Sequence, residues 1–299
     1  MSAPATTVVV SDREPFTALD WGLFLGVSLI WGSSFLLIAI GLESLHPGLI
    51  TWMRVGFGAL ALAAFPSTRR KIEASDRKTL LALSVLWVGI PFTLFPLAEQ
   101  HINSAVTGLL NGATPIFAAL IGGLFFARPA RGTQRIGLVV GFLGMAIVSI
   151  GGASSGGETA VSGIVMVLVA TFFYGVSVNI AGPLQQKYGS LPVMAKMLAL
   201  GTIWTAPFGL YGLFDSSFAV GSVAATAVLG IVGTGFAFAI MGQLIRRVGG
   251  TRGTFTTYLM PVVALVLGVM FLGDVVAPSS LAGVALVIGG ALLASRKEK

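Results

Sequence analysis

Residues 216–245 read SSFAVGSVAATAVLGIVGTGFAFAIMGQLI, thirty consecutive positions without an Asp, Glu, Lys, Arg or His. A helix that crosses the hydrocarbon layer of a membrane needs about 20 apolar residues, so this stretch is long enough for one crossing. The run is continuously apolar and lacks the alternation of barrel strands, which favours a helix. This stretch therefore predicts an integral membrane protein built of helices.

The rest of the chain repeats the pattern. Of its 299 residues 55% are apolar and 10% are charged, and the mean hydropathy is +0.93, whereas soluble domains carry about 25% charged residues. We predict an all-α integral membrane protein with ten transmembrane helices. The predicted spans are 18–40, 47–65, 79–99, 104–126, 133–150, 161–183, 192–213, 220–245, 253–273 and 279–295.

The predicted loops divide the basic residues unequally. Sixteen Lys and Arg residues lie in the two tails and in the loops after the second, fourth, sixth and eighth spans, when Arg135, at the start of the fifth span, is counted with the loop before it. The other five loops contain no basic residue. Because basic residues gather on the cytoplasmic side of a membrane, we expect both termini to be cytoplasmic.

Two halves of the chain resemble each other. A shift of 146 residues aligns the fourth and fifth spans with the ninth and tenth, so that Pro115 meets Pro261, and a shift of 143 aligns Trp31-Gly32 with Tyr174-Gly175. Five spans per half is an odd number, so the second half is expected to be inverted. Such repeats are common in secondary transporters, although duplication retained for folding alone would leave the same pattern. The predicted domains are a first five-helix repeat (1–150), a periplasmic linker (151–160) and a second, inverted five-helix repeat (161–299).

Several short motifs accompany this organisation. They are Trp31-Gly32-Ser33-Ser34-Phe35, Arg54 after Pro47, Thr114-Pro115-Ile116-Phe117-Ala118, Met260-Pro261-Val262-Val263-Ala264 and Leu272-Gly273-Asp274. In order and spacing they resemble the drug/metabolite transporter superfamily, in its ten-span, EamA-like branch, and within it the bacterial aromatic amino-acid exporters. The family commonly has an acidic residue after both the fourth and the ninth spans. Asp274 matches this pattern after the ninth span, whereas Arg128 stands after the fourth and does not match it. The resemblance implies export of amino acids or other small metabolites across the bacterial inner membrane.

One charge lies inside a predicted span. Arg54 follows Pro47 by seven residues in the second span. A charge at such a depth costs a few kcal/mol unless its side chain reaches the headgroups, is paired, or faces a wet cavity. Arg54 is therefore either a binding group for a carboxylate substrate or a snorkelling side chain. For Lys196, near the inner end of the seventh span, the snorkelling alternative is favoured.

Polar and aromatic residues near mid-depth are the other candidates for a substrate pathway. Asn111 and Thr114 are one turn apart and share a helix face. Stacking on rings could hold an aromatic or apolar substrate, whereas interhelical hydrogen bonds and packing are the alternative roles. The predicted pathway residues are Asn111, Thr114, Trp87, Tyr258, Arg54, Asn179 and Tyr174.

Other functional classes have little support. There is no cysteine and there are two histidines, so we expect no metal site, and no cofactor or Walker motif is predicted. A channel or a membrane-embedded enzyme would need charge rings or buried catalytic groups, which the spans lack, and the dispersed basic residues do not predict nucleic-acid binding. The expected partners are an amino acid-like small molecule and the lipid bilayer, with the monomer as the functional unit. Transport is predicted to be facilitative, because Glu99 near the outer end of the third span is too shallow for proton coupling at the midplane.

Overall fold

The computed structural model describes residues 16–126, 132–248, 253 and 256–294, with only the backbone described at 152–159 and 294. Regular structure in these ranges is entirely helical, which confirms the predicted all-α class. The helices are Ala18–Gly32 (α1), Ser34–Leu42 (α2), Pro47–Ala63 (α3), Arg77–Leu83 (α4), Ile90–Ala98 (α5), Ser104–Asn111 (α6), Thr114–Phe125 (α7), Thr133–Tyr188 (α8), Ser190–Phe214 (α9), Val220–Gly230 (α10), Ala237–Val248 (α11), Thr256–Leu267 (α12) and Pro278–Ala294 (α13). Three π-helical segments, Ser84–Gly89, Ile231–Phe236 and Gly268–Leu272, and two short 3-10 turns, Pro66–Arg69 and Ala74–Asp76, complete the described part.

Seven helical stretches of the described chain are long and apolar enough to cross a membrane. Three shorter apolar helices, Pro47–Ala63, Thr256–Leu272 and Pro278–Leu293, occupy the positions of the second, ninth and tenth predicted spans. The protein is therefore a multi-pass membrane protein. The crossing of the membrane by all ten segments stays a prediction.

Helix α8 contains a reversal of the chain. Its helical backbone extends over 56 residues, which in a straight helix would span about 84 Å. The ring of Phe117 nevertheless lies 5.7 Å from that of Phe142 and 6.0 Å from that of Phe172. Thirty residues of straight helix would separate these two partners by about 45 Å, so the chain turns back between them. The predicted linker 151–160 lies in this interval, in helical backbone, and its role as a domain boundary stays a prediction.

The loops assemble at two opposite ends of the bundle. At one end, which we call the basic end, the ammonium of Lys187 lies 2.8 Å from carboxylate oxygens of both Glu73 and Asp76. At the same end Arg247 pairs with Asp20 at 2.5 Å. These contacts bring together the start of α1, the loop before α4, the end of α8 and the end of α11.

The other end, which we call the far end, is held by different contacts. Asp274 accepts hydrogen bonds from the Ser104 hydroxyl and the Ala105 amide, both at 2.8 Å, so it caps the first turn of α6. The amide of His46 donates to the Ser216 hydroxyl at 3.0 Å. The far end therefore joins the loops after α2, α5, α9 and α12.

Equivalent residues of the two halves make equivalent contacts. The ring of Trp31 lies 5.7 Å from that of Phe238, and the ring of Tyr174 lies 5.8 Å from that of Phe95. A shift of 143 residues converts Trp31 into Tyr174 and Phe95 into Phe238, so one pair maps onto the other. Each half therefore contributes one member to each pair, and the inversion of the second half stays a prediction.

Two close approaches of helices also involve residues that the shift between the halves relates. A Cβ at Gly32 would lie 2.5 Å from the Cβ of Val263, and a Cβ at Gly175 would lie 2.8 Å from the carbonyl carbon of Phe117. Phe117 and Val263 are related by the shift of 146 residues. Because only glycine leaves room at these positions, the α1–α12 and α7–α8 crossings both depend on the absence of a side chain.

Candidate functional site

Several predicted spans are interrupted in the middle. The first is broken at Ser33, between α1 and α2, and the fourth is broken at Gly112–Ala113, between α6 and α7. The third and eighth contain the π-helical segments Ser84–Gly89 and Ile231–Phe236. Such breaks free backbone polar groups and are frequent at functional sites, and discontinuous helices form the binding sites of many transporters.

Arg54 lies beside one of these interruptions. Its side chain is only 6% exposed, and its Nε donates a hydrogen bond of 3.2 Å to the Thr234 hydroxyl in the π-helical segment of the eighth span. The guanidinium carbon lies 3.9 Å from the centroid of the Phe92 ring. The side chain is therefore buried among helices and does not reach the headgroups, so the snorkelling alternative is wrong for Arg54.

These neighbours compensate the charge of Arg54 only in part. Among the described residues no carboxylate forms an ion pair with it. A cation–π contact contributes about 2 kcal/mol when desolvated, and a hydrogen bond to a charged group about 1.5–3 kcal/mol. Burial of a charge costs several kcal/mol or more. The guanidinium, whose other donors have no partner among the described side chains, is therefore suited to binding an anion.

Glu99 is a functional candidate that sequence reasoning set aside. The residue as a whole is partly exposed, yet both carboxylate oxygens are shielded from solvent and have no hydrogen-bond partner in the described part of the chain. This is the opposite of snorkelling, in which the stem is buried and the charge is exposed. The charge of Glu99 is close enough to interact electrostatically with Arg54 and Asp274.

Aromatic rings lie along α5, which contacts Arg54 through Phe92 and ends just before Glu99. The ring of Phe95 lies 5.6 Å from that of Phe35 and 5.8 Å from that of Tyr174, and Phe92 lies under Arg54. Tyr174, one of the predicted pathway residues, packs against both hydrophobic clusters of the described core and interacts electrostatically with Arg54. The structure therefore brings Arg54 and Tyr174 together.

The other predicted residues lie elsewhere in the bundle. Thr114 donates a hydrogen bond of 2.8 Å to the carbonyl of Asn111, and both residues flank the break of the fourth span. Trp87 is half-buried in the π-helical segment of the third span, where it packs against the hydrophobic cluster that contains Val88 and Met197. All three lie at helix irregularities, and their place in a pathway stays a prediction.

Two predicted residues have their polar groups engaged with the backbone of neighbouring helices. The Tyr258 hydroxyl donates to the carbonyl of Ala291 at 3.0 Å, which ties α12 to α13. The Asn179 amide donates to the carbonyls of Ala118 and Gly175, both at 2.9 Å, which ties the second part of α8 to α7. These contacts support the helix-packing alternative for both side chains.

The basic end of the molecule is closed by polar contacts between the halves. The ammonium of Lys196 donates to the carbonyls of Thr68 and Arg70, at 2.9 and 2.7 Å, so its charge lies among loop carbonyls at this end of the bundle, and the snorkelling alternative for Lys196 stays a prediction. The Tyr188 hydroxyl donates to Asp76 at 2.7 Å. We call this set of contacts, together with those of Lys187, the basic-end latch. Beside it lies a cavity of about 410 Å³ between residues 66–70 and 188–192, well away from Arg54.

Comparison with known proteins adds the family. The model of the EamA-like transporter family matches residues 21–150 and again residues 161–296. The chain belongs to this family. An EamA-like protein is a membrane transporter, in agreement with the resemblance to the drug/metabolite transporter superfamily.

Relatives of this EamA-like chain are transporters by name. A "Probable terminal-alkyne amino-acid exporter" of Streptantibioticus cattleyicolor is 29% identical over 282 residues, which cover 93% of each chain. YdfC of Bacillus subtilis, an uncharacterized transporter, is 26% identical over 87% of this chain and 86% of its own. YedA of Escherichia coli K12, an uncharacterized inner membrane transporter, is 24% identical over 83% of this chain and 81% of its own. A solved crystal structure has the same fold, with a TM-score of 0.63 at 17% identity over 93% of this chain and 97% of that chain.

Proposed function

We propose that this EamA-like transporter exports amino acids with aromatic or hydrophobic side chains across the bacterial inner membrane. The observation that carries the proposal is the buried Arg54, a cation without a carboxylate partner among the described residues, which lies over the ring of Phe92 and near Tyr174, whose ring packs against Phe95. A buried guanidinium suits a carboxylate, and rings beside it suit an apolar side chain. The name of the Streptantibioticus relative, an amino-acid exporter, supports the same substrate class.

We further propose the topology in which this transport would occur. Ten spans would form two inverted five-helix repeats, with both termini and the basic end in the cytoplasm. The unequal distribution of basic residues, the two matches of the family model and the equivalent contacts of Trp31 and Tyr174 support this arrangement. The protein would work as a monomer by alternating access, with the basic-end latch open in one state and closed in the other.

Transport is proposed to run down the gradient of the substrate itself. Proton-coupled export of other drugs or metabolites is the second candidate, and the specific observation that favours it is the shielded, unpartnered carboxylate of Glu99. Proteoliposomes separate the two candidates. A pH gradient should not drive uphill accumulation of substrate if transport is facilitative, whereas accumulation that a protonophore abolishes would establish proton coupling.

Counterflow in the same proteoliposomes tests the functional class. Vesicles loaded with unlabelled amino acid should take up labelled amino acid faster than empty vesicles. The reason is that the binding site of a carrier changes sides of the membrane faster with substrate bound than without it. Equal uptake by loaded and empty vesicles would indicate a channel, and recovery of a chemically altered substrate would indicate an enzyme. Either result would contradict the proposed alternating access.

A further inference from the structure

Two shielded charges of opposite sign lie near each other in the described part of the protein without pairing. Arg54 and Glu99 interact electrostatically but form no ion pair, and both oxygens of Glu99 lack a hydrogen-bond donor. Leaving a buried ionisable group without a partner is unfavourable, and among the described residues neither the guanidinium of Arg54 nor the carboxyl group of Glu99 has an ion-pair partner. A ligand that carries both complementary charges would relieve both costs at once.

The helix geometry directs the Glu99 carboxylate towards Arg54. The Thr51 hydroxyl donates to the carbonyl of Phe92 at 3.0 Å, which sets the register of α3 against α5. Because α3 begins and α5 ends at the far end, Arg54 lies about 5 Å from that point towards the basic end, and Glu99 lies about 10 Å from it towards the far end. Side chains of a helix lean towards its N-terminus, so the Glu99 side chain, at the end of α5, leans back to about the level of Phe95, and the Arg54 side chain leans towards the far end, which brings the two groups closer together.

The surroundings of Glu99 favour a cation there. Asp274 interacts electrostatically with Glu99, and its own hydrogen bonds to Ser104 and Ala105 hold it in place. The two carboxylates make the far-end side of this space negative, while Arg54 makes the opposite side positive. An α-amino acid has its ammonium and its carboxylate on one carbon, and so matches this gradient of charge over a short distance.

We propose that Arg54 and Glu99 together form a zwitterion site. The guanidinium of Arg54 binds the α-carboxylate, and the carboxylate of Glu99 accepts hydrogen bonds from the α-ammonium. The side chain of the substrate then lies against the rings of Phe92, Phe95 and Tyr174. This inference rests on the proposed transport of amino acids and specifies how their shared head group is recognised.

Binding of three related ligands to the purified protein in nanodiscs tests the site. The ligands are L-phenylalanine, 3-phenylpropionate, which lacks the ammonium, and 2-phenylethylamine, which lacks the carboxylate, with the corresponding leucine series measured in parallel. Wild-type protein should bind the amino acid most tightly. Glu99→Gln should weaken binding of phenylalanine about tenfold or more and leave 3-phenylpropionate unchanged or tighter, because only the ammonium contact is lost.

Arg54→Gln should produce the complementary pattern, with weaker binding of phenylalanine and 3-phenylpropionate and little change for 2-phenylethylamine. Glu43→Gln is the matched control for Glu99→Gln, since Glu43 is an exposed carboxylate at the same end of the molecule. Retained binding of 3-phenylpropionate also shows that the Glu99→Gln protein is folded.

The contradicting results are distinct from failure of the proposed function. If wild-type protein binds phenylalanine but Glu99→Gln binds it equally well, or loses all three ligands to the same extent, the zwitterion site is wrong and the amino-acid substrate class stands. If wild-type protein binds no member of either series, the substrate class is wrong and the zwitterion site fails with it.

Discussion

The guanidinium carbon of Arg54 lies 3.9 Å from the centroid of the Phe92 ring. The two residues belong to α3 and to α5, and Thr234 of the eighth span completes the contact with a hydrogen bond to the Arg54 Nε. Three predicted spans therefore meet at one buried cation. Any motion that separates these spans must change the surroundings of that charge. If substrate binds at Arg54, its binding would therefore be coupled to such a motion.

The first prediction concerns the geometry of this cation. Arg54→Ala should reduce counterflow of phenylalanine about tenfold or more, because the carboxylate of the substrate loses a charge-assisted hydrogen bond in a buried site. Arg54→Lys should recover only part of the activity, because an ammonium lacks the planar fork of a guanidinium. Arg77→Gln, which removes an exposed arginine, serves as the control and should be active. Wild-type counterflow in Arg54→Ala would show that the cation is not used by the substrate.

The second prediction concerns the basic-end latch. Asp76→Asn weakens the contacts of Asp76 with Lys187 and Tyr188, so the end closed in this structure should open more often. Exposed ion pairs contribute about 0.2–1 kcal/mol each. A thiol reagent should therefore label a cysteine introduced at Ser190 a few times faster when Asp76→Asn is also present than when Ser190→Cys is the only change. Asp215→Asn, an exposed carboxylate of the far end, is the control. Equal labelling rates in all three proteins would mean that these contacts do not hold the end closed.

The third prediction concerns the packing of α13 against the first part of α8. A Cβ at Gly290 would collide with the backbone of Gly141, whereas a Cβ at Gly289 would meet no atom within 4 Å. Gly290→Ala should therefore lower the free energy of unfolding by about 1–3 kcal/mol, seen as a lower melting temperature in detergent. Gly289→Ala should be neutral or slightly stabilising because alanine favours the helix. The same melting temperature for both variants would contradict this helix contact.

The fourth prediction concerns topology, and the absence of native cysteine makes the test direct. In intact cells a cysteine at Ser75 should resist a membrane-impermeant thiol reagent, and a cysteine at Ser155 should react with it. Permeabilised cells should label the Ser75 variant as well, which confirms that its thiol is present and reactive. The reverse pattern in intact cells would invert the whole proposed orientation.

The sequence predicts the helical membrane class, because burial in lipid requires long charge-free segments and these are visible in a single chain. It also marks Arg54 as unusual, since a charge inside an apolar span is costly. The direction in which a side chain points is harder to predict from the sequence than the presence of a helix. Depth alone places Glu99 near the end of a span, whereas in the structure both of its carboxylate oxygens are shielded from solvent.

Hydrogen bonds between residues that are distant in the sequence also cannot be predicted from one sequence. Asn179 and Tyr258 are pathway candidates because they are polar and lie at mid-depth. In the structure both donate to carbonyls of adjacent helices. The same residue types suit both the lining of a pathway and the packing of helices, so the sequence does not distinguish these two roles. The partners of Lys196, two loop carbonyls 128 and 126 residues away, likewise depend on how the halves assemble. Such assignments require the tertiary contacts.

The central claim is that this chain releases amino acids from the inside of the cell, and an efflux measurement tests it most directly. Cells are loaded with labelled phenylalanine, transferred to unlabelled medium, and the rate of loss of label is followed with wild-type protein, Arg54→Ala and Gly289→Ala at equal levels in the membrane. Wild-type protein and Gly289→Ala should release the label several times faster than Arg54→Ala or cells without the protein. Identical release from all four, with leucine and tryptophan giving the same result, would contradict the account.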